Sequence, residues 1–405
     1  MATVAVLGTL DSKGHEHAFL AERIRARGHE TLLIDVGTGG PAQVPVDIGR
    51  DEVAAEAGLD LAPLLARADR GECVSAMAGA VPLLVERLRR EGRIDGIVSL
   101  GGGGGTAIAT AAMRALPVGF PKLMVSTLAS GNTAHYVGTR DITMMPSIVD
   151  VAGLNRISRT IFQRAAGAIS GMVEVEVGAG DERPLLVASM FGNTTDCVNA
   201  AVPLLEAAGY EVLVFHATGS GGRAMEALIE SGLVAGVLDI TTTEWADELV
   251  GGTLSAGPER LDGAASAGLP AIVVPGCLDM VNFGEQESVP ECFAGRRFYV
   301  HNPQVTLMRT TPEECAELGR VLAEKINRYT APVTVLLPRR AISVISAEGG
   351  AFHDPEADEA LFSSLTAGLA DGVEVRSLDL EINDPEFARA CSEALLANLA
   401  RAATR

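Results

Sequence analysis

Aromatic side chains are scarce in this chain: 4% of 405 residues, with one tryptophan, against 47% apolar residues overall. That balance is typical of α/β proteins rich in Ala, Val, Leu and Gly. Basic residues are also few, 32 Lys and Arg against 52 Asp and Glu, for a formal charge of -20. A phosphate backbone needs a basic surface, so nucleic acid is not an expected partner, and neither is an anionic membrane. An anionic small ligand stays open, because backbone dipoles and a few local cations suffice to hold one. The six cysteines include no Cys-x-x-Cys pair, and no two histidines stand at zinc spacing, which argues against disulfides and a zinc site. There is no charged leader and no long apolar run, so neither a signal peptide nor a transmembrane segment is expected and a cytoplasmic location is. No serine stands in a G-x-S-x-G setting, which removes the usual serine hydrolase signature.

What the chain does have is glycine, and above all the five consecutive glycines Gly101, Gly102, Gly103, Gly104 and Gly105 before Thr106. They follow the apolar stretch Gly96–Leu100 and precede an Ala-rich helical stretch reaching about Ala115. A turn of this kind is expected to use positive φ and to bring backbone N–H groups close to a ligand. The helix that follows adds free N–H groups and a favourable dipole, so a phosphate or carboxylate is the natural occupant. The lysine that completes a P-loop is missing, since Thr106 and Ala107 follow the glycines, and G-x-G-x-x-G is met only trivially.

Strand and helix patterns alternate along the chain, which predicts parallel sheets covered on both faces. Strands are expected at Thr3–Leu7, Glu30–Val36, Gly96–Leu100 and Lys122–Ser126, with helices at about His15–Arg27, Asp51–Arg70, Cys73–Glu91 and Asn155–Val173. A second series begins with strands at Leu185–Ser189 and Glu211–His216 and ends in a helix at Pro385–Ala403. Shifting the first series by 181 positions brings Gly28-His-Glu30 onto Gly209-Tyr-Glu211, a trace of internal duplication. The fold class expected is therefore α/β, with two Rossmann-like, doubly wound domains at 1–180 and 181–405. Their boundary is expected in the polar, Gly-rich segment Val177–Arg183.

Several segments together resemble one family. They include Thr9-Leu-Asp-Ser-Lys-Gly14, Gly101–Thr106 with its helix, Val125-Ser-Thr-Leu-Ala-Ser-Gly131 and Asp141-Ile-Thr-Met-Met145. In the second half come Phe215-His-Ala-Thr-Gly-Ser-Gly-Gly-Arg223, Leu238-Asp-Ile-Thr-Thr-Thr-Glu244, Asp279-Met-Val-Asn-Phe283 and Val300–Thr310. The family is that of the N-terminal ATP-binding domain of the tomato mosaic virus resistance protein and its bacterial relatives. The resemblance implies a dimer that binds ATP. It also implies a link to a barrel domain resembling phosphoenolpyruvate hydrolase and mutase enzymes, expected here as a separate polypeptide.

Ligands of doubly wound folds lie beyond the C-terminal ends of the strands. The loops there supply the candidate nucleotide contacts: Thr9, Asp11 and Lys13, the run Gly101–Thr106, then Thr218, Gly219, Ser220 and Gly221, and finally Thr241 and Thr242. Lys13 would meet a phosphate and Asp11 a ribose hydroxyl or a metal; alternatively Asp11 or Ser12 caps a helix and Lys13 is solvated. The catalytic candidates are His216, Glu244, Asp279 and His301, with Arg309 as an anion clamp. Two functions stay open. One is a nucleotide-binding module, with ATP and an accompanying Mg²⁺ in a cleft between the domains, that regulates or partners a separate enzyme. The other is an enzyme acting on a small carboxylate or phosphorylated acid there. Convergence of the four catalytic candidates on one ligand would favour the enzyme, and dispersal the module.

Overall fold

A computed structural model of the chain describes residues 1–176 and 183–404, so 177–182 of the expected domain boundary lie outside the described residues. The chain divides into two compact units, Met1–Gly178 and Ala179–Arg405. The first runs β1 (Thr3–Gly8), α1 (Leu10–Arg25), β2 (Glu30–Asp35), α2 (Arg50–Glu56), α3 (Leu61–Arg67), α4 (Arg70–Arg90) and β3 (Gly96–Gly101). It continues with α5 (Gly103–Ala115), β4 (Lys122–Ser126), α6 (Ala134–Val137), β5 (Thr143–Pro146) and α7 (Arg156–Glu174). Its sheet has the order β2-β1-β3-β4-β5, with every pairing parallel. Every residue of β3 and β4 is buried, as expected of parallel strands covered on both faces. Strand alternation sorts the core: Val4 and Val6 pack with Leu20, Ile24 and Phe162 of α1 and α7, while Ala5 and Leu7 pack with Val81, Leu84 and Ile108 of α4 and α5.

The single helix expected over Asp51–Arg70 is broken into pieces. Gly58, at φ 65°, follows α2, and Ala68 ends α3 in the left-handed conformation at φ 52°. Asp60 and Asp69 then cap α3 and α4, their side chains accepting from the N–H groups of Ala62 and Glu72. This break brings the start of α4 to the C-terminal edge of the sheet.

The second unit runs β6 (Leu185–Met190), α8 (Thr195–Ala207), β7 (Glu211–His216), α9 (Ser220–Glu230), β8 (Val234–Thr241), α10 (Glu244–Val250), α11 (Asp262–Ser266) and β9 (Ala271–Gly276). Then come β10 (Met280–Phe283), β11 (Phe298–Asn302), β12 (Val305–Arg309), α12 (Pro312–Ile326), β13 (Val333–Pro338), α13 (Pro355–Gly368), β14 (Glu374–Leu378) and α14 (Pro385–Ala403). The parallel sheet has the order β14-β13-β9-β8-β6-β7, and β10, β12 and β11 form a small antiparallel sheet. Counted within each unit, both parallel sheets read 2-1-3-4-5, and the second adds a sixth strand. The fold is thus mixed α/β with mainly parallel sheets. No helix among the described residues is long and apolar enough to cross a membrane.

Candidate functional site

In a 2-1-3-4-5 sheet the strand order reverses between the first and third strands, and ligands lie beyond their carboxyl ends. In the first unit this point falls between the ends of β1 and β3. A cleft of about 600 Å³ opens there. Thr9, Asp11 and Lys13 border it from the start of α1, and Gly102 to Gly105 from the start of α5.

The glycines do not form the positive-φ turn expected of them. None of Gly101 to Gly105 has positive φ, Gly102 is the N-cap, and Gly103, Gly104 and Gly105 form the first turn of α5. Their missing side chains therefore serve approach rather than backbone freedom. At Gly101 the approach is internal: a Cβ there would stand 3.1 Å from the Gly105 backbone. At Gly103 it is not, since the nearest heavy atom to an added Cβ is Leu128 Cδ1 at 4.0 Å. The Thr106 N–H returns to the Gly102 carbonyl, whereas the N–H groups of Gly103, Gly104 and Gly105 find no acceptor among the described residues. These are the unpaired donors of a helix N-terminus, aimed at the cleft. Thr106 itself turns inward. It is buried, with Oγ1 2.7 Å from Ser126 Oγ, so it ties α5 to β4 instead of facing a ligand.

The other wall is braced. Asp11 Oδ2 accepts the N–H groups of Gly39 and Gly40, and Asp35 Oδ1 accepts those of Leu10 and Gly37. Asp11 thus anchors the loop after β2 while bordering the cleft. Lys13 also borders it, and its ammonium donates to the Val151 carbonyl. Arg70, the first residue of α4, stands at the mouth. It is exposed, makes no hydrogen bond or ion pair among the described residues, and its Nη2 lies 3.8 Å from where a Gly104 Cβ would sit. A cation at a helix N-terminus opposes the helix dipole, so α4 itself gains nothing from it. Leu65 and Val74 add an apolar patch to the same cleft.

His17 holds the two strand ends in register. The ring is fully buried, its Nδ1 lies 2.7 Å from the Lys13 carbonyl, and its Nε2 lies 3.3 Å from the Leu100 amide nitrogen. Nδ1 must donate and Nε2 accept, so only the neutral ring fits. Burial pushes its pKa below the ordinary 6.5. The unfolded ring titrates near 6.5, so this stabilisation is complete above that pH and is lost progressively as pH falls from there through the lowered pKa of the folded state. Wild-type protein is therefore expected to lose melting temperature between pH 7 and 5 more steeply than His17→Gln, which a thermal scan across that range measures. Parallel slopes would remove His17 from the account.

The second unit repeats the strand order but fills the matching position. Thr194 Oγ1 and Thr241 Oγ1 are 2.7 Å apart, the Thr241 N–H donates to Ser189 Oγ, and Thr242 Oγ1 donates to the Val274 carbonyl. Below them Arg260 is buried and uses all of its donors. Nε reaches Glu244, Nη1 reaches Asp239 and Glu226, and Nη2 reaches Asp239 and the Thr241 carbonyl. Thr241 and Thr242 are accordingly structural, contrary to expectation. The backbone of the loop Thr218, Gly219, Ser220 and Gly221 is likewise engaged within the protein, while the Ser220 side chain is exposed. Glu244 accepts the Gly219 N–H, the Ser220 N–H returns to the Thr218 carbonyl, and a Cβ on Gly221 would stand 1.8 Å from the His216 carbonyl oxygen.

The four catalytic candidates do not converge. Glu244 is committed to Arg260 and to the N–H groups of Gly219 and Gly222, which leaves it no role as a base. His216 is exposed at the end of edge strand β7, its ring 5.5 Å from that of Phe191. Asp279 is buried and accepts the Ser343 hydroxyl. His301 is exposed on β11. Met280 pairs with Arg309 and Asn302 with Val305, so Asp279 and His301 lie at opposite ends of β12. Arg309 is no free clamp, since its guanidinium is held by Asp358 and the Phe352 carbonyl. Among the described residues no group of three or more His, Cys, Asp or Glu is placed to hold a metal ion.

Two family models match the chain: the N-terminal domain of the uncharacterised protein family UPF0261 at residues 2–178, and its C-terminal domain at 183–399. The chain belongs to the UPF0261 family. A UPF0261 protein of Clostridium tetani is 50% identical over 395 residues, covering 97% of this chain and 98% of that protein. The ToMV resistance protein Tm-1(GCR237) of tomato is 38% identical over 416 residues, covering 97% of this chain but 55% of the plant protein. Among solved structures, a UDP-N-acetylglucosamine 2-epimerase from Rickettsia bellii matches at 12% identity and a TM-score of 0.22, covering 67% of this chain and 78% of that one. In this UPF0261 chain, sequence reading missed Arg70, His17 and Arg260 at the positions that matter. Only Arg70 carried a local signal, a cation at a helix start.

Proposed function

We propose that the chain binds a nucleoside triphosphate, ATP, in the cleft of its first unit, and acts as a nucleotide-responsive module for a separate enzyme. What carries the reading is one arrangement: three unpaired N–H groups of Gly103, Gly104 and Gly105 facing a cleft beside an unpartnered Arg70. Helix N-terminal amides and a guanidinium are complementary to phosphate oxygens. Leu65 and Val74 offer the apolar surface a base requires, and about 600 Å³ lies within the range of small-molecule sites. Asp150, which borders the same cleft, and Asp11 are the carboxylates available to a phosphate-bound Mg²⁺, an ion usually held by phosphates and one or two carboxylates. The dispersal of the four catalytic candidates favours a module over an enzyme of small acids. A homodimer and a partner enzyme of the phosphoenolpyruvate hydrolase and mutase barrel type belong to this reading through the family resemblance, and a cytoplasmic location belongs to it through the scattered, unpaired cysteines.

Arg70→Ala tests the reading. The residue is exposed, so stability is expected to stay within about 0.5 kcal/mol. Loss of one charge-assisted contact, worth about 1.5–3 kcal/mol, is expected to weaken ATP binding by about 10- to 100-fold. Calorimetric titration reads the change, and unaltered affinity would place the phosphates elsewhere.

A further inference from the structure

Beyond the glycine turn, on the side away from β1, the ends of β4 and β5 enclose a second hollow of about 510 Å³. It shares Asp150 with the first cleft, and Thr127 Oγ1 in its wall lies 3.7 Å from where a Gly102 Cβ would stand. The two spaces therefore flank the start of α5 from opposite sides.

The lip of this hollow is strained. The Val149 N–H returns to the Ser147 carbonyl at 2.7 Å, closing a three-residue turn around Ile148 at φ 65°. A turn of this hand is rare, and a β-branched residue at positive φ is a genuine outlier. Ile148 is nonetheless 74% exposed, so its side chain gains no core contact in return. Strain kept without local packing is found at ligand clamps. The chemistry of the wall is distinctive too. The Thr127 and Ser130 hydroxyls make no hydrogen bond among the described residues, Asp150 adds a carboxylate, and neither lysine nor arginine lines the space.

We infer that this hollow is a second ligand site, for a neutral, polyhydroxylated small molecule of sugar or polyol type bound beside the nucleotide. The two hydroxyls and Asp150 match the hydroxyl groups of such a ligand, and Ile148 covers its C–H face. A carboxylate or phosphate ligand would meet Asp150 with neither lysine nor arginine in the wall, and Lys13, which borders the first cleft, has its ammonium on the Val151 carbonyl. The inference rests on the nucleotide reading only for what occupies the neighbouring cleft.

Saturation-transfer NMR on the full chain, with and without saturating ATP, tests it using D-ribose, D-glucose and myo-inositol as neutral probes and L-malate as an anionic one. At least one neutral probe is expected to give transfer and malate none. Ile148→Gly is expected to raise the melting temperature, by relieving the strained backbone, while reducing the transfer several-fold and leaving ATP affinity unchanged. Ser130→Asp is expected to abolish the transfer with the fold intact. Transfer to malate alone, no transfer to any neutral probe, or transfer indifferent to both variants would overturn the second site. ATP titrated in the same samples separates that failure from failure of the nucleotide reading.

Discussion

Gly103→Val is expected to weaken ATP binding by about 100-fold or more while leaving the melting temperature within about 2 °C. Two structural facts combine in that expectation. The first is that a Cβ at Gly103 has room within the protein, its nearest neighbour being Leu128 Cδ1 at 4.0 Å, and the backbone there has no positive φ for a side chain to resist. Valine in the first turn of α5 therefore costs little beyond its modest helix propensity, a few tenths of a kcal/mol. The second is that a branched side chain at the first helical residue stands between a ligand and the free N–H groups behind it. Each charge-assisted bond to a phosphate oxygen contributes roughly 1.5–3 kcal/mol, so losing two removes about 3–6 kcal/mol, or two to four decades of affinity. Calorimetric titration of both proteins, with a thermal scan of each, measures the two effects independently. Retained affinity would mean that α5 does not seat the phosphates. A collapsed melting temperature would mean that the glycines serve the fold.

The largest effect on stability is expected from Arg260→Met. The buried guanidinium is the shared partner of Asp239, Glu226 and Glu244, at distances of 2.7, 3.1 and 2.8 Å. Burial already drives the Glu226 pKa upward, with Arg260 the first influence opposing it. Removing the cation leaves three carboxylates in a low-dielectric interior, and breaking a buried pair in this way typically costs about 3–5 kcal/mol. The consequences should stay local to the second unit: α9 loses the brace that Glu244 gives the N–H groups of Gly219 and Gly222. The chain's one tryptophan, Trp245, is buried next to Glu244 and reports on this unit directly. Urea unfolding followed by its fluorescence should therefore show the midpoint falling sharply, with ATP affinity in the first unit unchanged. A loss below about 1 kcal/mol would show that the network is incidental.

Parts of this architecture were legible in the sequence, and the reason is physical. Strands buried on both faces are short apolar runs bounded by glycine or charge, so Lys122–Ser126 stands where the pattern predicts it. The half-exposed edge strand Glu211–His216 also keeps its expected bounds. Pro385 opens α14 at its first position, where its missing N–H is harmless. The short strands β5, β10 and β12 carry no comparable signal. Met280–Phe283 includes Asn282, whose amide is committed to Asp247 across 35 residues, a pairing visible only once the chain has folded.

The candidate site was legible in outline and misread in its second half. The glycine run stands out in any reading of the chain, and it does border a cleft. The threonine and glycine loops of the second unit look equivalent because the two units share a strand order. What distinguishes them is Arg260, remote in sequence from Asp239 and Glu226, which fills the second switch point with an ion network. Similar loops therefore have different occupants: a buried guanidinium in one unit, an open cleft in the other. Local pattern reports backbone geometry well, but it is silent about which long-range side chain arrives to satisfy the loop.

Isothermal titration of the purified chain with ATP, ADP and adenosine, each with and without Mg²⁺, bears most directly on the phosphate seat at α5. Binding should weaken stepwise from ATP to ADP to adenosine, because each phosphate lost removes contacts to the glycine N–H groups and Arg70. Adenosine binding as tightly as ATP, or no binding of any of the three, would contradict it.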